Sequence, residues 1–354
     1  MDNLTHSLVG ALIGQAGLKR KTGLAMPALI IGANLPDVDA ACFLWLDGLE
    51  HLAFRRGITH GPIAWVLLPL LLAGMLWGWD RWQTRRGTRP EKRLPVHFGW
   101  LYGLAFLACL THPALDWLNV YGIRLLEPFS SRWFYGDVLF IIDVWLWALL
   151  GVATWFSLRR EKRGVRWRWP AVTALLVGVI YIAANGVISV GAHVIFGINN
   201  KGPGERVVAD EVIASPVPFA PWRRELIAGK ANEWFTGETD EFRGYRSPST
   251  ISSNRCAWPD VGTLRQTNPG LDAFLFWSRA PFAERAPDGS VLIRDARFYD
   301  PRARDRFTVE LKDVRCEPLQ APSSSEEGVG GGVDRGAARA GTTPGPSSEE
   351  EGRI

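Results

Sequence analysis

The sequence predicts an all-α polytopic membrane domain over residues 1–199, a small C-terminal β-rich extramembrane domain over 200–318 and a disordered, low-complexity tail over 319–354. Three observations carry this division. Apolar runs at 63–79, 98–110, 138–156 and 171–196 hold few charges and are about long enough to cross a ~30 Å hydrocarbon core. Residues 200–318 are polar and β-prone instead. From residue 321 onward Gly, Ser, Ala, Pro and Glu dominate, with too little apolar content to offset the entropy of ordering. A mean hydropathy near zero therefore averages two unlike halves, and a fully soluble enzyme is excluded.

The first helix is expected over 4–17, capped by Asn3 or Thr5 and closed by Gly17 and the basic run Lys19-Arg20-Lys21. A second, over 24–33, stops at Asn34-Leu35-Pro36. Pro36 disfavours helical geometry at Leu35 and can open a new helix, which places Asp37 and Asp39 at a break. Both segments are short for full spans and read as a partly embedded pair. A helix of mixed character follows over 40–54, and four clearer spans are expected at 62–79, 97–116, 137–157 and 170–197, with Trp residues at many of their ends.

Basic residues cluster in alternate connections: Lys19 to Lys21, Arg81 to Arg93 and Arg159 to Arg168. The other connections hold only Arg55, Arg56, Arg124 and Arg132. The positive-inside bias makes the first group cytoplasmic and sends everything after about residue 200 outside. The same clustering accounts for the weakly basic balance, so no nucleic acid is expected as a partner. The first ten residues lack a basic stretch and a small-residue cleavage site, and are not expected to be a removable signal. Beyond residue 200, strands are expected at 206–213, 273–277, 291–298 and 306–314. Cys256 and Cys316, both on the side assigned to an oxidising compartment, are expected to form a disulfide.

Six residues stand out chemically: His6, Asp37, Asp39, His60, His112 and Asp116. Imidazole and carboxylate side chains in this mixture are the ligands of a divalent metal site. His112 and Asp116 are four apart and share a helix face if the helix continues through Pro113. All six fall at the ends of apolar segments assigned to one side, and ionisable groups near a bilayer are costly unless paired, hydrated or coordinated. Asp137 and Asp143 lie on that side too, and His193 near it; whether they join the site is left open. The bland readings are helix capping for Asp37 and Asp39 and interfacial packing for His60 and His112.

The strings Thr5-His6, Pro36-Asp37-Val38-Asp39, Arg56-Gly57-Ile58-Thr59-His60, Thr111-His112-Pro113-Ala114-Leu115-Asp116 with Tyr121-Gly122, and Gly136-Asp137 to Asp143 resemble a family of bacterial inner-membrane, metal-dependent hydrolases, also described as LexA-binding membrane-associated hydrolases. The resemblance covers about residues 1–200. It implies a helical membrane domain, a multi-pass location in the inner membrane, a metal-dependent hydrolase activity of unestablished substrate, and a ligand role for the six residues. The region after residue 200 lies outside it.

The expectation is thus a membrane-embedded hydrolase with one or two divalent ions, Zn²⁺ first and Mn²⁺ or Fe²⁺ as alternatives. His6, His60, His112, Asp37 and Asp116 would be ligands, with Asp39 a bridging ligand or the general base. Membrane lipids are the expected partners, and a phosphoester or lipid-linked molecule at the outer face is the expected substrate. The rival readings are a non-enzymatic membrane binding or regulatory protein with a structural metal, and an ion transporter, which would place ionisable groups nearer mid-span.

Overall fold

A computed structural model describes residues 1–199, 209–230 and 232–319. The tail expected over 319–354 lies outside them apart from Leu319, as do residues 206–208 of the first expected strand. Helix α1 (Asn3–Gln15) starts where the Asp2 carboxylate accepts the Leu4 and Thr5 amides at 3.0 and 3.1 Å, so Asp2 is the cap, in place of Asn3 or Thr5. Helix α2 (Ala25–Gly32) crosses α1 closely: a Cβ on Gly10 would stand 2.5 Å from the Leu29 carbonyl.

Residues Leu35–Leu44 follow at a 54° bend as 3₁₀ turns, replacing the helix expected over 40–54, of which only α3 (His51–Phe54) is α-helical. Three residues per turn put Pro36, Asp39 and Cys42 on one buried face and leave Val38 and Leu44 outside.

The long helices are α4 (Pro62–Arg85), α5 (Phe98–Trp117), α6 (Val144–Lys162) and α7 (Arg168–Asn199). Among the described residues α4, α5 and α7 are long and apolar enough to cross a membrane, or four spans if the bent pair of α2 and Leu35–Leu44 counts as one. Helix α5 does run through Pro113, and its buried stripe Leu101, Leu104, Ala105, Ala108 continues into His112 and Asp116. The span expected from 137 begins only at Val144. Val138 and Leu139 spend their amides on the Leu118 carbonyl, and Asp143 caps α6 by accepting from Trp145 and Leu146.

Two antiparallel meanders complete the chain. Strands β1 (Glu211–Val217), β2 (Ala220–Lys230), β3 (Glu233–Asp240) and β4 (Gly244–Thr250) form one sheet. Strands β5 (Pro281–Arg285), β6 (Ser290–Asp295) and β7 (Thr308–Arg315) form the other. Between them lie α8 (Val261–Thr267) and α9 (Pro269–Trp277). The strand expected at 273–277 is thus the end of a helix: Asn268 caps it, Pro269 opens it, and Leu271, Phe274 and Trp277 recur every three residues on its buried face. Cys256 and Cys316 form the expected disulfide, with Cα atoms 5.3 Å apart.

The sheets rest on the helices. Ala192 and Phe196 of α7 pack against Ala214, Leu226 and Ala228, while Leu52 and Tyr121 pack into the cluster around Trp277. Both sheets therefore sit at the end of the bundle where α4 begins and α5 finishes.

Candidate metal centre

The first and last turns of four segments meet at this end. Helix α1 brings His6, the 3₁₀ turns bring Asp37 and Asp39, the turn Ile58–His60 brings His60, and α5 brings His112 and Asp116. The side chains of His6, His60, His112 and Asp116 are closed to solvent. His6 and His112 stack at 3.8 Å between ring centroids, with His60 5.1 Å from His112. Asp116 faces all three imidazoles: its oxygens lie 3.3 Å from His6 Nε2, 3.5 Å from His112 Nε2 and 3.7 Å from His60 Nε2. The Met1 amino group is also paired with Asp116.

Two overlapping groups have ligand atoms within 4.8 Å of one another: His6, His112 and Asp116, and Asp37, His60 and His112. The donors fit a metal on a separate ground. His6 Nδ1 and Nε2, His60 Nε2 and His112 Nε2 are buried with no hydrogen-bond partner, which is costly unless something else satisfies them. The remaining ring nitrogens are held from behind. His112 Nδ1 donates to the Ala33 carbonyl at 2.8 Å, and His60 Nδ1 lies 2.9 Å from the Thr59 hydroxyl. Each ring is thereby turned so that Nε2 presents its lone pair inward.

Asp39 belongs to neither group. Its Oδ2 accepts from the Arg56 amide at 2.8 Å and the Thr59 hydroxyl at 3.1 Å, and stands 3.5 Å from His60 Nδ1. It sits behind His60, on the far side from Asp116. Asp137 pairs with Arg279 at 2.7 Å, Asp143 caps α6, and both His193 nitrogens face backbone carbonyls, so none of the three enters the cluster.

Two arginines went without a role at the level of sequence. Arg55 reaches Asp37 at 2.9 Å and Asp39 at 3.4 Å. Arg56 points inward, its Nε 3.0 Å from Asp116 Oδ2 and its Nη1 3.2 Å from both Asn119 Oδ1 and the Gly122 carbonyl. Its φ of +55° is a left-handed conformation that costs a non-glycine residue energy and is kept where the surroundings over-determine it. Neighbouring arginines in a loop read as solvated; the Arg55 partners lie 16 and 18 residues back and the Arg56 partners some sixty residues on, so no local signal exposes them.

Behind Arg56 the C-terminal region supplies a strut. The Arg56 guanidinium lies 4.5 Å from the Tyr121 ring centre. Trp277 Nε1 donates to the Tyr121 carbonyl at 3.1 Å, and Arg297 Nη1 donates to the Val120 carbonyl at 2.9 Å. Arg297 is itself clamped by Asp295 through bonds of 2.9 and 2.8 Å. Burial pushes the Asp295 carboxyl up, but Arg297 more than offsets this and holds it below the usual carboxylate range.

Fold and site together define a helical membrane protein with a buried His/Asp cluster that can hold a metal at the ends of its spans. The sequence matches the YdjM inner membrane protein family over residues 1–190, and the chain belongs to that family. It is also similar to the uncharacterized protein YfhP of Bacillus subtilis (strain 168), 23% identical over 320 residues that cover 86% of this chain and 88% of that protein. A match of that length extends beyond residue 190 into the sheets. No solved structure matches the chain.

Proposed function

We propose that the chain is a metal-dependent hydrolase of the inner membrane that acts on a phosphoester or lipid-linked substrate. The observation that carries this reading is the set of orphaned, buried Nε2 atoms of His6, His60 and His112 converging on the Asp116 carboxylate. These four, with Asp37, would hold one divalent ion. An imidazole nitrogen has one lone pair for a metal, and His112 commits Nδ1 to Ala33, so the two groups that share His112 describe a single centre. Imidazole with carboxylate suits Zn²⁺ best. Once bound, such a metal supplies Lewis acidity and an ionised water near neutral pH.

The chain's own residues do the rest. Asp39 and Thr59 orient His60, so the role we assign to Asp39 is positioning, in place of bridge or base. Arg56 anchors Asp116. The three carboxylates are matched by two guanidinium groups and the Met1 amino group, so a divalent cation would leave the centre with excess positive charge and make it attractive to an anion. The clustering of basic residues in the opposite loops and the Cys256–Cys316 disulfide support an outward-facing site and C-terminal region.

Elemental analysis of detergent-purified protein, alongside hydrolysis assays on phosphomonoester, phosphodiester and phospholipid substrates, tests the reading. One metal per chain, lost together with turnover in His112→Ala, is expected. Two metals per chain would overturn the single centre, and turnover that survives both chelation and the His60→Ala and His112→Ala substitutions would refute the mechanism.

A further inference from the structure

His6, His60, His112 and Asp116 have no solvent-accessible side-chain surface. The centre's partly exposed members are Asp37, with 11% of its side chain accessible, and Arg55, with 24%. Whatever reaches the cluster passes them. What surrounds this opening is apolar: Val38, Phe43, Leu44, Trp45, Phe54 and Ile58 are all exposed, Leu44 to 86%. So many exposed apolar side chains on two neighbouring turns would be a liability on a soluble face, and on a membrane protein they mark contact with lipid.

Its place in the fold says the same. Leu35–Leu44 is the second arm of a bent apolar pair that together has the hydropathy of one span. That arm packs on the turn Ile58–His60 and on the start of α4. The exposed face of α4, with Ile63, Val66, Leu67, Leu70 and Leu71, continues the apolar surface along a membrane-spanning helix. The rim is therefore the upper edge of the lipid-facing surface.

Arg55 stands where that surface ends. Its guanidinium lies 5.6 Å from the centre of the Phe43 ring, its Nη2 and Nε face Asp37 and Asp39, and its Nη1 meets no acceptor among the described residues. An amphiphile with chains along Leu44 and Ile58 would bring its head to that free edge, beside Asp37. A guanidinium edge is matched by a phosphate oxygen.

We infer that the centre opens sideways into the bilayer and takes the phosphate-bearing head of a membrane phospholipid, whose acyl chains lie on the rim formed by Phe43, Leu44 and Ile58. As an assignment of substrate class this rests on the hydrolase reading; as a binding site it does not need turnover.

The test uses the full chain in phosphatidylcholine vesicles containing a minor share of phosphatidylglycerol, with the photoreactive residue benzoylphenylalanine in place of Leu44. Illumination is expected to give lipid adducts in which phosphatidylglycerol exceeds its share of the vesicle several-fold. Arg55→Gln should return the adducts to the vesicle ratio while lipid cross-linking persists, and Arg55→Lys should keep the enrichment. Absence of lipid adducts would overturn the lipid-facing rim. Enrichment unchanged in Arg55→Gln would overturn the headgroup site. Adducts and enrichment that persist in a protein without metal-dependent turnover would sustain the site and sink the hydrolase, whereas turnover of a soluble phosphoester without adducts would do the reverse.

Discussion

Two buried charge clusters lie within one compact unit and differ in a single respect. Around Asp295 and Arg297 the bonds close on themselves: both carboxylate oxygens accept from the guanidinium, Ser278 donates to Oδ2 at 2.5 Å, Arg297 Nη1 donates to the Val120 carbonyl, and Nη2 donates to the Trp277 carbonyl as well as to Asp295. Around Asp116 three imidazoles, of His6, His60 and His112, bring nitrogens to one place and leave them without hydrogen-bond partners. A saturated cluster offers nothing to a ligand, and its charges serve the fold. An unsaturated one forgoes stability that a ligand can restore, the common condition of functional sites. Burial and charge alone do not distinguish the two; the count of unmet lone pairs does.

The sharpest way to break the comparison is to remove one member of each cluster. His112→Ala should abolish metal binding, a loss greater than the roughly 10–100-fold that removing an outer partner costs. It should also erase the thermal stabilisation that added Zn²⁺ gives the wild type, about 2.7 kcal/mol at a hundredfold excess over Kd. Arg297→Leu leaves Asp295 buried and unpaired, and should cost about 3–5 kcal/mol of stability by denaturant titration in detergent. If His112→Ala destabilised the metal-free protein as much as Arg297→Leu does, the distinction would fail.

Asp39→Asn sharpens the boundary of the site. It should lower metal affinity by roughly 10–100-fold, with stoichiometry unchanged, because it weakens the hold on His60 without removing a ligand. Titration with a competing chelator reads this directly, and loss of the metal altogether would return Asp39 to the ligands.

The smallest effect is on pH dependence. Asp295 is held below its usual range, so its contribution to stability is complete above its unfolded pKa of about 4 and is lost as the pH falls through the lower folded value. The contribution of this pair to the denaturation midpoint, read as the difference between wild type and Arg297→Leu, should be constant from neutral pH down to about 4 in the wild type and decline only below it. A wild-type contribution already falling well above pH 4 would contradict the pairing.

What the sequence revealed follows from the range of the interactions. Three of the four clear spans, α4, α5 and α7, were legible because apolar length is a local property, whereas α6, starting at Val144 and ending in charged residues, does not reach the length and apolarity of a span; His112 with Asp116 was legible because four residues make one helical turn. His6, Asp37 and His60 could be grouped with them because each marks the end of an apolar segment. The hidden features depend on distant partners. Asp39 reads like the other carboxylates until its Oδ2 is seen to accept from the Arg56 amide and the Thr59 hydroxyl, outside both candidate ligand groups, and Arg56 looks solvated until Asp116, Asn119 and Gly122 surround it. The short run 273–277 has both strand and helix composition, and what decides it is the cap at Asn268 together with burial of Leu271, Phe274 and Trp277.

The strut behind Arg56 also imposes an order in time. Val120 emerges from the ribosome early, but the guanidinium that holds its carbonyl belongs to Arg297, 177 residues later. Until that part of the chain has been made and has docked, the platform of Tyr121 under Arg56 lacks its outer support, and a nascent or truncated chain carries every ligand without the finished geometry. The C-terminal region thus completes the surroundings of Arg56 only once Arg297, far later in the chain than the six clustered residues, is in place.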